Sequence, residues 1–460
     1  MSTIVDGCFS FVNRMTAWVR SRSSTGLLAS GVAAGAAMCL YKVIKGRRRR
    51  SSLLKALGGT SGGEGPYLGF VPTSAEHLFY ALDILADTYG DIYAIKSFNK
   101  DEILPISGIL TSAGEEWKRN RRLSAPAFNE HNSAGMVQAM AVMAKRLVRQ
   151  LRKLGRQGDG RIVWEPREWL TPCTLDSLCL TTFGMDFYFL NPDGVTIAVG
   201  TKEIAESIRH FLKGSTYVLD RVMFPYMTRN RFPWNLNPRI KKFYSSIERL
   251  KKFANDLAVQ RREGGELGRA DLLDKLLQLE KNDLEGNLVT FIIAGSETTS
   301  VSLSWCLYYY LSILKRKREL EQRWIALIIQ PPVTLLAHIT TVEVSVHGYK
   351  LPAGTPILAS TRKHMRSNAE GGTFFKPERW LSPDGSVNQA RARDHMAFGG
   401  GPRQCLGSKM AIKEGTLILA MIVRHFENIK LTCAASDVEI KARLTLGPAK
   451  LEVSMTQRQT

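Results

Sequence analysis

Ten residues near the C-terminal end, Phe398-Gly-Gly-Gly-Pro-Arg-Gln-Cys-Leu-Gly407, limit what this chain can fold into more than any other part of it. Glycine tolerates left-handed backbone and lets main chain approach another group closely. Gly399, Gly400, Gly401 and Gly407 therefore mark a segment that wraps around the Cys405 sulfur, with backbone N–H groups available to a negative charge there. Downstream, Met410, Ala411, Leu417, Ile418, Met421 and Ile422 recur at helical intervals, which predicts a helix just after the cysteine. The positive end of that helix is expected to lower the thiol pKa, and Phe398 to pack beside the sulfur and keep water away. A glycine-rich turn around a buried cysteine is the plain alternative. Background residue usage, however, produces F-x-x-G-x-R-x-C-x-G only roughly once in ten thousand chains of this length.

A chain of 460 residues with 44% apolar and 23% charged residues can fill a core, which argues against wholesale disorder. No repeat of roughly 20–50 residues is visible, which disfavours solenoids. The seven cysteines (8, 39, 173, 179, 306, 405 and 433) are an odd set with no C-x-x-C pair. That argues against a disulfide scaffold or zinc ribbon and for a reducing compartment, and all but Cys405 are expected to be small buried residues. The formal charge of +21 points to acidic partners. No zinc finger or aromatic-basic RNA signature accompanies it, so nucleic acid is not expected as a partner.

Ser23–Tyr41 carries no charge and just reaches the ~20 residues needed to cross a bilayer. Lys42, Lys45 and Arg47–Arg50 follow at once, and a basic flank of this kind stays cytoplasmic. Residues 1–50 therefore read as a membrane anchor with its basic flank, and 51–460 as the enzyme domain. A competing reading is an organelle transit peptide, because Asp6 is the sole acidic residue among the first 50. Gly58–Gly69 reads as a glycine-rich hinge.

A second constellation is Phe291-Ile-Ile-Ala-Gly-Ser-Glu-Thr-Thr299, inside an apolar run that predicts a buried helix. Ala294 and Thr298 share one face of it, Gly295 and Thr299 the adjoining one. Small residues at 294 and 295 leave room for a diatomic ligand. The Thr298 hydroxyl is expected to bond the carbonyl one turn back and open a notch, with Glu297 beside it to feed protons.

With these two motifs in this order, about a hundred residues apart, the chain resembles the cytochrome P450 family of haem-thiolate monooxygenases. The resemblance implies a mainly α fold with a small β region, haem b held by Cys405 as axial iron ligand, and Arg403 on a haem propionate. It extends to Trp117-Lys-Arg-Asn-Arg121, where Trp117 and Arg121 hold a propionate, and to Thr174–Phe187, a helix packed on the oxygen-activating one. It also covers the hairpin His347–Gly354 and Phe375-Lys-Pro-Glu-Arg-Trp380, in which Glu378 and Arg379 are structural. His338 matches another propionate-binding place. Leu288, Phe291, Ile292, Val333, Leu335, Leu336, Leu446 and Gly447 match positions that line an apolar substrate site. The implied reaction inserts one oxygen atom of O2 into an apolar, lipid-like substrate, with electrons from NADPH through a flavoprotein reductase. That reductase would dock on Lys118, Arg119, Arg122, Arg391, Arg393, Lys409 and Lys413. The implied location is the endoplasmic reticulum membrane with a cytosolic catalytic domain, the transit-peptide reading implying mitochondrion or plastid instead.

Two departures stand against it. The family's E-x-x-R helix has no counterpart between Leu311 and Pro331, where Glu319, Glu321 and Arg323 are wrongly spaced, and Ile95–Ile106 is also compressed. The chain is thus shortened near 95–116 and 311–331. Removing a buried arginine's counter-charge costs about 3–5 kcal/mol, which would threaten haem retention through Arg379. Two other functions therefore compete: a haem-thiolate isomerase or dehydratase of hydroperoxides, against which Glu297–Thr298 argues, and an inactive, spliced form.

Overall fold

The computed structural model describes residues 67–70, 94–96, 108–156, 160–190, 201–219, 235–264, 271–313, 330–346, 348–367, 382–384, 388, 395–442 and 444–459. The expected anchor and its basic flank, the shortened stretch 314–329, and Glu378 and Arg379 lie outside these residues. Among the described residues no helix is long and apolar enough to cross a membrane.

The chain divides into two compact units. The smaller comprises Met1–Val71, Leu85–Lys96 and His338–Ile357. In it β1 (Tyr67–Phe70) pairs in parallel with β2 (Ala94–Lys96), so the end of the expected glycine hinge is a strand. The expected hairpin is present: Val344–Val346 pairs antiparallel with Tyr349–Leu351, and Gly348 turns the chain with φ 83°.

The larger unit comprises Pro72–Ile84, Ser97–Ala337 and Leu358–Thr460 and is mainly helical. Its described helices used below are α1 (Gly114–Ser124), α2 (Glu130–Gly135), α3 (Val137–Arg156), α4 (Pro166–Phe183), α5 (Thr201–Leu219), α6 (Pro238–Glu263), α7 (Lys281–Ile313) and α8 (Ser408–His425). Local chemistry sets their ends. Glu115 and Glu116 open α1 and Arg121 and Arg122 close it, each sign complementing the helix dipole. Pro238 starts α6 behind Asn237, whose side chain accepts from Arg239 N–H. Gly184, at φ 66°, stops α4 at Phe183 rather than near 187, and its N–H donates to the Cys179 carbonyl.

The 33-residue α7 runs through both hydrophobic clusters of this unit. Its first half, with Leu284, Leu288 and Ile292, packs among α5 and α6. Its second half, with Leu303, Cys306 and Leu307, packs with α3, α8 and a three-stranded sheet. In that sheet the C-terminal strand Val453–Gln457 lies between Arg161–Trp164 and Phe426–Leu431, antiparallel to both. A helix so enclosed must satisfy its own polar groups. Thr290, Ser296, Thr298, Thr299, Ser302 and Ser304 each donate a hydroxyl to the carbonyl four residues back, and Ser300 to the one three back.

Cys173, Cys179 and Cys306 are buried as expected, whereas Cys433 is exposed. It follows the edge strand Phe426–Leu431 in a solvent-facing turn rather than sitting on an inward helix face. Glu414 on α8 is 1% exposed, and its Oε1 has no hydrogen-bond partner among the described residues. Burial pushes its carboxyl up to about 8, against a smaller opposing pull from the Ser177 hydroxyl of α4. The folded chain therefore keeps a proton that the unfolded chain loses near 4.5, and stability falls as pH rises from there through about 8. Glu414→Gln should be more stable than the parent by about 1–3 kcal/mol near pH 8 and gain little near pH 5, read from urea midpoints at both pH values.

Candidate functional site

The cysteine loop is shaped by backbone bonds before any side chain is considered. The Cys405 N–H donates to the Phe398 carbonyl at 2.9 Å, Gln404 N–H to the Gly401 carbonyl at 3.0 Å and Gly399 N–H to the Met396 carbonyl at 2.9 Å. Gly399 and Gly401 have φ of 69° and 66°, where a side chain would be strained. Gly407, at φ −81°, has no such need. It caps α8, and a Cβ built on it would enter open space. Phe398 is half-buried, its ring 6.1 Å from that of His395.

Cys405 stands three residues before α8, as the sequence predicted, with an exposed side chain. The protein packed around the rest of the sulfur pushes the thiol above its ordinary value. The Gly407 N–H and the Arg121 charge oppose this and lose. The expectation of a lowered thiol pKa is thus corrected: in the polypeptide alone desolvation outweighs the helix end. A metal that takes the sulfur as thiolate must displace its proton.

Two arginines and a tryptophan tie this loop to α1. Arg121 Nη1 donates to the Gln404 carbonyl at 2.6 Å, and Arg403 Nη2 to the Ser112 carbonyl at 2.9 Å. The Arg403 guanidinium lies 4.4 Å from the centre of the Trp117 ring. Burial lowers the pKa of both arginines, and Arg121 adds to the effect on Arg403. Among the described residues neither is ion-paired to a carboxylate. A cationic pair without an anion beside an accessible sulfur fits a metal-bearing group with acidic substituents. His338 is exposed on its strand in the smaller unit.

On α7 the faces divide sharply. Phe291, Ala294 and Thr298 share one side; Ala294 and Thr298 are half-buried, and Phe291 stacks on Phe128 at 5.6 Å. The Thr298 hydroxyl bonds the Ala294 carbonyl at 2.6 Å, as predicted, but so do its neighbours' hydroxyls one turn back. What sets Thr298 apart is accessibility, since Ser296, Ser300 and Ser304 are fully buried. Gly295 does not make room for a ligand. A Cβ there would come 2.7 Å from Leu178 Cδ1, so its smallness lets α4 pack against α7. Glu297 does not stand exposed beside Thr298 either. It is buried, accepts from Arg167 and Thr445, and turns about a quarter of the helix away from Thr298. Sequence reasoning missed Arg167 and Thr445, which lie in no motif, and did not single out Leu178 within Thr174–Phe187.

The expected substrate-lining set is split. Leu288 and Ile292 carry no exposed surface and belong to the core, because they lie on the side of α7 turned from Thr298. Leu446 is buried, its carbonyl accepting from Trp305 Nε1 at 2.8 Å, and Gly447 borders Arg167 and Val301. Val333, Leu335 and Leu336 stay half-buried, Leu336 Cδ1 lying 3.7 Å from a Cβ built on Gly399. The expected docking charges are partly neutralised: Lys118 pairs with Glu115, Arg119 with Asp283, and Lys409 and Lys413 both with Glu130 of α2. Arg391 and Arg393 lie outside the described residues.

The profile of the family described as Cytochrome P450 matches residues 74–322 and 327–454. The chain belongs to the cytochrome P450 family. This P450 is 21% identical over 369 residues to "Cytochrome P450 4e5, mitochondrial" of Drosophila mettleri, covering 70% of this chain and 67% of the relative. It is 26% identical to a "Bifunctional cytochrome P450/NADPH--P450 reductase 1" of Bacillus subtilis, covering 80% of this chain and 36% of that longer protein. In fold it matches the crystal structure of a cytochrome P450 (CYP102L1) with a TM-score of 0.63 at 17% identity, over 76% of this chain and 84% of that one. The break in the family match at 323–326 falls where the E-x-x-R helix is missing from the sequence.

Gly295→Ala should force α4 and α7 apart and lower stability by about 1–3 kcal/mol while leaving the Cys405 loop intact. Thermal melts with haem content measured in parallel check both halves.

Proposed function

We propose that this monooxygenase binds haem b through Cys405 and inserts one atom of O2 into an apolar, lipid-like substrate, with NADPH electrons delivered by a flavoprotein reductase. The observation that carries the reading is the convergence of Cys405, Arg121, Arg403 and Trp117 on one loop, an accessible sulfur beside two guanidiniums without a carboxylate. Haem bound there would supply oxygen activation and electron transfer, the thiolate tuning both.

The chain's own residues do the rest. Cys405 gives up its proton on metal binding, and Gly407 N–H and Arg121 favour the resulting anion. Arg403, steadied by the Trp117 face, and Arg121 hold the propionates. Thr298 presents an accessible hydroxyl beside the small Ala294, and Glu297 supplies protons to it. Phe291, Val333, Leu335 and Leu336 offer apolar surface to the substrate. His338 remains a proposed propionate contact, and Glu378 with Arg379 a proposed structural pair.

The bifunctional relative, whose name joins a P450 to an NADPH–P450 reductase, supports the choice of electron donor. Exposed Arg122, with Lys118 and Lys409, is the proposed docking surface. Residues 1–50 act as the membrane anchor, placing the domain 51–460 on the cytosolic side of the endoplasmic reticulum. A mature N-terminus between Arg50 and Tyr67 would instead assign the chain to an organelle, in line with the mitochondrial name of the Drosophila mettleri relative.

Cys405→Ser should abolish the thiolate-type carbon monoxide difference spectrum, because a neutral hydroxyl does not replace a charged soft donor. Its survival would remove Cys405 from the site. Thr298→Ala should keep that spectrum but release electrons as hydrogen peroxide, with product per NADPH lowered about tenfold.

A further inference from the structure

The formal charge of +21 is not spread evenly along the chain. The 20 residues of α3 include Lys145, Arg146, Arg149, Arg152, Lys153 and Arg156 and no acidic residue. Arg146 is taken up by Asp186, but Arg152 reaches the last turn of α8, where its Nη2 lies 3.0 Å from His425 Nδ1. A guanidinium only donates, so the imidazole nitrogen accepts. Burial, then the charges of Arg152 and Arg424, lowers the pKa of His425 and keeps the ring neutral. Arg458, just past the strand Val453–Gln457, meets the same turn from the other end of the chain. Its Nη2 donates to the Val423 carbonyl at 3.2 Å and its N–H to the His425 carbonyl at 3.0 Å. Arg424 stands exposed on that turn.

A guanidinium fixed by a carboxylate is neutralised, whereas one fixed by an imidazole or a carbonyl is positioned with its charge intact. Arg152 and Arg458 are both fixed in the second way. The Nε of each is enclosed without an acceptor among the described residues, which removes part of its water and raises what an anion gains by approaching. Among the described residues no carboxylate pairs with Arg152, Arg424 or Arg458. Glu414, the one acidic residue of α8, is buried, and Glu427, two residues past His425, bonds Thr456 through its main-chain carbonyl. The negative end of the α8 dipole supplies roughly half a charge, and Arg458 already lies on it. Arg152 and Arg424 remain without a counter-charge.

We propose that the last turn of α8, with Arg152, Arg424, His425 and Arg458, is a binding site for a phosphate-bearing anion, supplied by a free phosphate compound or by a lipid headgroup. A phosphate dianion matches the uncompensated charge, where a single carboxylate leaves a surplus, and its oxygens accept from guanidinium forks. His425 holds Arg152 in place and adds no charge of its own. The site is separate from the proposed reductase surface, because Lys409 lies at the opposite end of α8, ~24 Å along the helix from His425.

The test uses the full haem-loaded chain at low ionic strength. Inorganic pyrophosphate is titrated by calorimetry, and phosphatidylcholine vesicles with and without phosphatidic acid are tested by flotation. The parent is compared with Arg152→Gln/Arg424→Gln, with His425→Ala, and with Lys118→Gln/Arg122→Gln, which removes the same charge elsewhere. The carbon monoxide spectrum, unchanged throughout, reports an intact fold. The parent should bind pyrophosphate, and Arg152→Gln/Arg424→Gln should weaken it about tenfold. His425→Ala should weaken it about threefold, since it frees Arg152 without removing a charge. Lys118→Gln/Arg122→Gln should change it by less than about twofold. Loss of acidic-vesicle flotation in Arg152→Gln/Arg424→Gln assigns the lipid headgroup as the source, and flotation equal to the parent's assigns the free phosphate compound. A parent that binds no pyrophosphate overturns the proposal. Equal weakening by the two double variants overturns it too, because a diffuse basic surface behaves in that way. Should Arg152→Gln/Arg424→Gln lose the carbon monoxide spectrum, Arg424→Gln alone, at an exposed position, decides, and unchanged affinity there overturns the proposal.

Discussion

The enclosure of α7 is the constraint on which the rest of the larger unit depends. A helix buried on nearly every side has no solvent to satisfy its hydroxyls, so each Ser and Thr from 290 to 304 turns back on its own backbone. With these groups paired internally, the sides of the helix are free to be assigned. One packs on α4 through Gly295, Ser296 and Ser300, one meets Arg167 and the C-terminal hairpin through Glu297 and Val301, and one carries Phe291, Ala294 and Thr298.

The cysteine loop depends on a different principle. Its backbone bonds fix where the sulfur sits, but its position relative to α1 is set by long-range bonds from Arg121 and Arg403 to carbonyls. Cationic groups placed by carbonyl bonds rather than by carboxylates keep their charge available to another anion. The same economy appears in Glu130, which holds Lys409 and Lys413 on α8 and leaves less free positive charge there than the sequence suggests.

Much of this was legible along the chain. The helix after Cys405 and the long apolar helix over 291–299 follow from periodicity, whereas the hairpin around Gly348 and the helix from Thr174 were legible only through the family resemblance. The shift in α4 was small and local too: it stops at Phe183 because a left-handed glycine follows. The functional misreadings share a cause. Gly295 and Glu297 were interpreted from their sequence neighbours Ala294 and Thr298, yet successive residues on a helix point about 100° apart and meet different partners.

The sequence by itself determined the family and the identity of the chemically competent groups, because a thiol, a hydroxyl at a fixed spacing and a glycine-rich wrap are properties of short segments. Only the tertiary structure decided which of those groups remain available. Leu178, more than a hundred residues from Gly295, gives that glycine its purpose, and Arg167 and Thr445, from opposite ends of the unit, take one oxygen of Glu297. Desolvation and charge pairing depend on what lies within a few ångströms in space, and nothing in the local order of residues fixes that.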